Sequence, residues 1–133
     1  MDTLAQDIMA TELITIHEGT TVEECLKTLI NSRITGLPVV NAKNEMVGVV
    51  SEFDVLVQLS KHKRLKPAVF QEPIEFTRDS ETVEAHTPLS DVVHLFVGKK
   101  FRRLPVVDKK KRLIGIITRR DLMRVFYYRA RLT

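Results

Sequence analysis

The sequence predicts an α+β fold of two pseudo-symmetric β-α-β-β-α repeats packed sheet to sheet. Three observations carry this. Leu37-Pro38-Val39-Val40 recurs as Leu104-Pro105-Val106-Val107. The same offset runs on without a gap to Gly48 and Gly115, Ser51 and Thr118, Asp54 and Asp121, and backwards to Thr20 and Thr87, Thr15 and Thr82. Both copies also carry the same apolar helix face between these landmarks. One supersecondary unit written twice in a single register is the mark of a repeat architecture. A cleft between the two halves is the expected place for function.

The elements follow in order. Ile14-Thr15-Ile16 is β-branched and short, a strand ended by Glu18-Gly19. Thr20 is expected to cap a helix with Glu23 as its capping-box partner; in the second copy Thr87 caps and Pro88 opens the helix. Val22, Cys25, Leu26, Leu29 and Ile30, and likewise Leu89, Val92, Val93, Phe96 and Val97, follow the spacing of one buried helix face. The Leu-Pro-Val-Val strand comes next, then a polar turn (41–45; 108–112) and a second strand (46–50; 113–117). These strands are almost uniformly apolar, as strands buried on both faces are. Closing helices begin after Ser51 and Thr118 and run through Val55, Leu56 and Leu59, and through Leu122, Val125 and Phe126. Residues 61–67 form a basic connection, and Pro67 and Pro73 bracket an irregular linker. The halves are read as 1–66 and 67–133, together one compact module.

Composition narrows the class. A chain of 133 residues is domain-sized. Its 44% hydrophobic and 29% charged content is ordinary for a soluble protein. The net charge of +4 favours acidic ligands without demanding nucleic acid. A single cysteine excludes an internal disulfide. No basic-then-apolar leader follows Met1, and no apolar run approaches the roughly 20 residues that span a bilayer. A cytoplasmic protein without membrane contact is expected.

The sharpest motif is Gly-apolar-apolar-Ser/Thr-x-x-Asp, at Gly48 to Asp54 and again at Gly115 to Asp121. It places a hydroxyl where a strand turns into a helix and a carboxylate one turn in. Free backbone N–H groups and the positive end of the helix dipole point outward there, which suits a phosphate. The carboxylate can accept two hydrogen bonds from a ribose diol. The competing reading is a capping box, in which hydroxyl and acid satisfy only their own helix end. Two copies in register favour the ligand.

With these motifs in this order, the chain resembles a tandem pair of CBS domains, the family named after cystathionine β-synthase. The resemblance covers Asp7 to about Phe126, including the lead-in Asp7-Ile8-Met9. It implies a regulatory module, not an enzyme, with two mixed sheets and up to two clefts for an adenosine-containing ligand: AMP, ADP, ATP or S-adenosylmethionine. By position, Asp54 and Asp121 would take ribose hydroxyls, and Ser51 and Thr118 phosphate. The backbone of Gly36, Leu37 and Pro38, and of Arg103, Leu104 and Pro105, would face adenine, beside Thr15-Ile16 and Thr82-Val83. It also implies a homodimer and an effector protein that reads the ligand state.

The copies differ at the corner. The first keeps the small Gly36 but sets Glu52 beside the phosphate position, where like charge repels. The second has Arg119 and Arg120 there, which pair well with phosphate, while Arg103 either crowds the base or swings to a phosphate. Cys25 reads as core, not as a nucleophile. His17, His62, His86 and His94 lack metal-ligand spacing, so neither a metal nor a catalytic constellation is expected. Two rival readings remain. One is a ligand-free dimerisation or docking scaffold. The other is a weak nucleic-acid binder using Arg119, Arg120, Arg124, Arg129 and Arg131 with Tyr127 and Tyr128.

Overall fold

The computed structural model describes residues 3–78 and 80–132, and it resolves into two compact units, Ile14–Ser80 and Met1–Leu13 with Glu81–Thr133. In the first unit β1 (Ile16–His17) runs parallel to β2 (Gly36–Val40), which pairs antiparallel with β3 (Met46–Ser51). Helices α2 (Val22–Ser32) and α3 (Glu52–Ser60) and the short α4 (Pro67–Phe70) complete it. The second unit repeats the plan with β4 (Val83–Glu84), β5 (Arg103–Val107), β6 (Leu113–Thr118), α5 (Leu89–Lys99) and α6 (Arg119–Leu132), joined by α1 (Ala5–Ile8).

The repeat extends to backbone detail. Both central hairpins slip register at the same place, Val39/Val40 and Val106/Val107. Asn41 Oδ1 accepts from the N–H of Lys43 and Glu45, and Asp108 Oδ1 from those of Lys110 and Arg112. These Asx turns place Asn44 and Lys111 at φ 63. Each first helix ends on a left-handed residue, Arg33 or Lys100.

Each unit has its own core. Val22, Cys25, Leu29, Leu37, Val39, Val50 and Val55 fill one, and Leu89, Val92, Phe96, Leu104, Val106, Ile117 and Leu122 the other. β6 alternates buried with half-buried residues, where burial on both faces was expected. Four residues expected on buried helix faces are instead exposed: Ile30, Leu56, Val97 and Phe126. At 100° per residue, Ile30 and Val97, eight residues on, have rotated off the face that Val22 and Leu89 define.

The division of the chain also differs from halves meeting at 66/67. Residues 67–77 stay with the first unit: Val22 N–H donates to Glu72 O at 2.9 Å and Ile74 N–H to Thr20 O at 2.8 Å. The segment before Leu13 joins the second unit: Leu89 N–H donates to Thr3 O at 2.9 Å, Ala5 N–H to Thr87 O at 2.8 Å, and Ala5 is fully buried there. The lead-in Asp7-Ile8-Met9 thus serves the other copy's sheet. Each exchanged segment satisfies the first orphan N–H of a helix it does not precede.

Two capping assignments shift by one residue. Thr21, not Thr20, is the N-cap of α2 and accepts from Glu24 N–H at 3.2 Å, because Thr20 N–H closes a turn onto His17 O after Gly19 at φ 92. In the second copy Pro88 is the N-cap, and Thr87 Oγ1 accepts from Glu84 N–H at 3.0 Å instead.

Candidate functional site

Both hydroxyl–carboxylate corners form, with matching geometry. Ser51 N–H and Oγ donate to Asp54 Oδ2 at 2.8 and 3.0 Å, and Asp54 N–H donates to Ser51 Oγ at 3.1 Å. Thr118 N–H and Oγ1 donate to Asp121 Oδ2 at 2.8 and 3.0 Å, and Asp121 N–H returns to Thr118 Oγ1 at 3.3 Å. These are capping boxes, so that reading is correct as far as it goes. It does not exhaust the groups. Each box uses a single carboxylate oxygen and leaves Oδ1 for another donor, such as a vicinal diol. In the first unit Thr77 Oγ1 lies 3.4 Å from Asp54 Oδ1. The sequence reading missed Thr77 because it lies in the linker; its signal was its place as the repeat counterpart of Ala10.

The sheet sets the remaining candidates around each corner. Gly36 stands opposite Ser51 in the β2–β3 ladder, and Arg103 opposite Thr118 in β5–β6. Leu37, Pro38, Leu104 and Pro105 are buried, so only their backbone can face a ligand. Ile16 and Val83 are likewise core residues, paired with Val39 and Val106, while Thr15 and Thr82 stay half-buried. The glycine of the motif has a mechanical cause. A Cβ at Gly48 would stand 2.2 Å from Thr77 O, and one at Gly115 2.3 Å from Met9 Sδ.

Residues 5–61 and 74–128 match the CBS domain family, once for each repeat. The chain belongs to the CBS-domain family. Among solved structures it is similar to CBSX2 of Arabidopsis thaliana in complex with AMP: 32% identity, TM-score 0.81, covering 94% of this chain and 96% of that one. It is also similar to the CBS domain pair of protein MJ0100 in complex with 5-methylthioadenosine and S-adenosyl-L-methionine. That likeness has 28% identity and TM-score 0.78, and covers 97% of this chain and 99% of the other. A curated relative, homoserine O-acetyltransferase of Methanohalobium evestigatum, is 31% identical over 92% of this chain and 24% of its own length. The chain spans about a quarter of the length of the first two curated relatives it matches.

The two CBS repeats differ electrostatically at their corners. Arg119 does not aim at an anion: its Nε donates to Phe101 O at 2.7 Å and its Nη2 to Lys100 O at 2.9 Å, closing the C-terminus of α5. Arg120 is exposed, and Arg103 is half-buried beside Thr118. Burial, and then Arg102 nearby, hold the Arg103 guanidinium below its ordinary value. The first repeat offers Glu52 and no basic residue at the matching positions.

The other candidates settle simply. Cys25 is fully buried, and burial followed by the Asp54 charge pushes its thiol up to about 11. Arg131 Nη1 donates to Tyr127 OH at 2.8 Å and its guanidinium lies 5.5 Å over that ring, so this pair is engaged with itself. Among the described residues no group of three metal-ligating side chains converges, and no helix is long and apolar enough to cross a membrane.

Proposed function

We propose that the chain is a non-catalytic regulatory CBS pair that senses an adenosine-containing small molecule. The observation that carries this reading is the pair of matching corners, in each of which the cap occupies one carboxylate oxygen. Relatives of the same fold, at about 30% identity over nearly the whole chain, are complexes with AMP, 5-methylthioadenosine and S-adenosyl-L-methionine. In this reading Asp54 and Asp121 hold ribose, Ser51 and Thr118 turn their hydroxyls toward phosphate, and the backbones at Gly36 and Arg103 flank the base. Thr15 and Thr82 line the same edge. Arg103 and Arg120 make the second repeat the better host for AMP, ADP or ATP. The first repeat, with Glu52, suits a neutral or cationic adenosyl compound. Ligand acts by population shift, favouring the conformation to which it binds more tightly.

The module works in the cytoplasm as a homodimer that presents its ligand state to an effector protein. Exposed apolar side chains at repeat-equivalent positions, Ile30 at 69% and Val97 at 74%, support an association surface. A thermal-shift screen of AMP, ADP, ATP and S-adenosylmethionine at constant salt tests the reading. A saturable rise in melting temperature with at least one of them is expected. No response to any of them would leave a docking scaffold, and binding of oligonucleotides that weakens steeply with salt would favour the nucleic-acid reading.

A further inference from the structure

Each unit carries a groove beside its two longer helices, and among the described residues only the first unit has a helix seated in it. There α4 packs on α2: Val69 is 6% exposed, and Phe70 joins Leu26 and Leu59 around the core. The polar rim is paired internally. His62 Nε2 stands 3.2 Å from Glu72 Oε1, and Glu23 receives Gln71 Nε2 at 3.2 Å with Lys27 Nζ at 4.0 Å.

In the second unit the counterpart groove, between α5 and the distal half of α6, is an open cavity of about 440 Å³. Leu89, Val93 and Phe126 give its lining an apolar part, and Ser90, His94 and Arg129 a polar one. Along the repeat, Val93 and Phe126 hold the places of Leu26 and Leu59, and Arg129 that of His62. Phe126 nevertheless remains 50% exposed. Among the described residues no carboxylate meets Arg129 and no acidic side chain lines the cavity. The volume falls within the roughly 300–1,000 Å³ of small-molecule pockets. An apolar lining with donors beside it selects an anion with an apolar body. One permanent cation balances one negative charge, and the guanidinium fork fits a carboxylate in bidentate fashion.

We infer that this groove is a second ligand site, separate from the corners, for a small monocarboxylate with an apolar body. The body takes the place that Val69 and Phe70 occupy in the first unit. The carboxylate meets Arg129 as Glu72 meets His62.

Octanoate is the probe, with octanol as the same body without charge and acetate as the same head without a body. Each is titrated into the full chain and followed by amide NMR. Octanoate is expected to shift Leu89, Val93, His94 and Phe126, with octanol and acetate at least about tenfold weaker. Arg129 is exposed, so Arg129→Gln keeps the fold while weakening octanoate by about tenfold or more. Val93→Trp fills the apolar part and abolishes binding, and any adenosine response persists in both variants. The inference is overturned if octanoate fails to saturate by about 10 mM, or binds Arg129→Gln as it binds the parent. Concentration-dependent shifts at these amides without ligand would make a second copy the occupant and overturn it equally.

Discussion

Ala10 and Ile116 exchange both backbone hydrogen bonds, at 2.8 and 3.0 Å, although they come from different repeats. Their counterparts Thr77 and Val49 do the same, at 2.9 and 3.0 Å. The lead-ins are therefore exchanged reciprocally, and the motif glycines lie beneath them.

This arrangement separates two substitutions that look alike in sequence. Alanine at Gly48 would collide with a backbone carbonyl, Thr77 O, and with the Phe76 ring; alanine at Gly115 would collide with the Met9 side chain, most closely with its Sδ and Cγ and at 2.9 Å with its Cβ. Gly48→Ala is expected to cost about 1–3 kcal/mol by overpacking, and Gly115→Ala less, since the Met9 thioether can swing away and leave only the close approach to its Cβ. Urea denaturation of the two variants checks the order. Equal losses would mean that the two lead-ins are held alike.

Helix faces give a second contrast. Leu29→Ala and Phe96→Ala each remove a large buried side chain and should cost about 2–5 kcal/mol. Ile30→Ala and Val97→Ala, one position on, should stay within about 0.5 kcal/mol in the monomer. A large loss at Ile30 or Val97 at high protein concentration alone would locate an association surface.

Much of this was legible in the chain. The apolar Leu-Pro-Val-Val strands, the helix faces and the two hydroxyl–carboxylate corners follow from periodicity and repetition. The exchange of lead-ins does not, because the repeat shows that Ala10 and Thr77 are equivalent but not which copy each one pairs with. Either choice satisfies the same backbone groups. The only local trace is a glycine, Gly48 or Gly115, in a strand that otherwise favours β-branched residues. The caps slipped by one because Thr20 and Thr21 are both competent, and the turn at Gly19 decides between them. The reach of Arg119 back to Phe101 O and Lys100 O was not legible because it depends on the end of a helix distant in sequence.

The thiol of Cys25 should behave as a core methyl group with a proton. It should resist alkylation in the native protein and react fully once denatured. Its folded pKa, about 11, exceeds the ordinary 9.0, so between these values the folded state holds a proton that the unfolded state releases. Its stabilising contribution is complete below 9.0 and is lost as pH rises through that window. Cys25→Val should be nearly isoenergetic at neutral pH and should lose less stability on going alkaline. Denaturation midpoints measured on both sides of the window compare the two proteins. An identical alkaline decline in both would remove the thiol as a contributor.

The central claim is that Asp54 and Asp121 do more than cap α3 and α6. As caps, Asp54→Ala and Asp121→Ala should each lower the ligand-free protein by about 0.5–2 kcal/mol. In the parent, nucleotide at a hundred times its dissociation constant should add about 2.7 kcal/mol, on the order of 10 °C in melting temperature. Thermal melts of the parent and both variants, with and without AMP or ATP at constant salt, separate cap from ligand. The account predicts that Asp121→Ala melts early and also loses most of its nucleotide response, while Asp54→Ala melts early and keeps more of it. If both variants melt early yet gain as many degrees from nucleotide as the parent, the carboxylates are caps alone and the proposed site is contradicted.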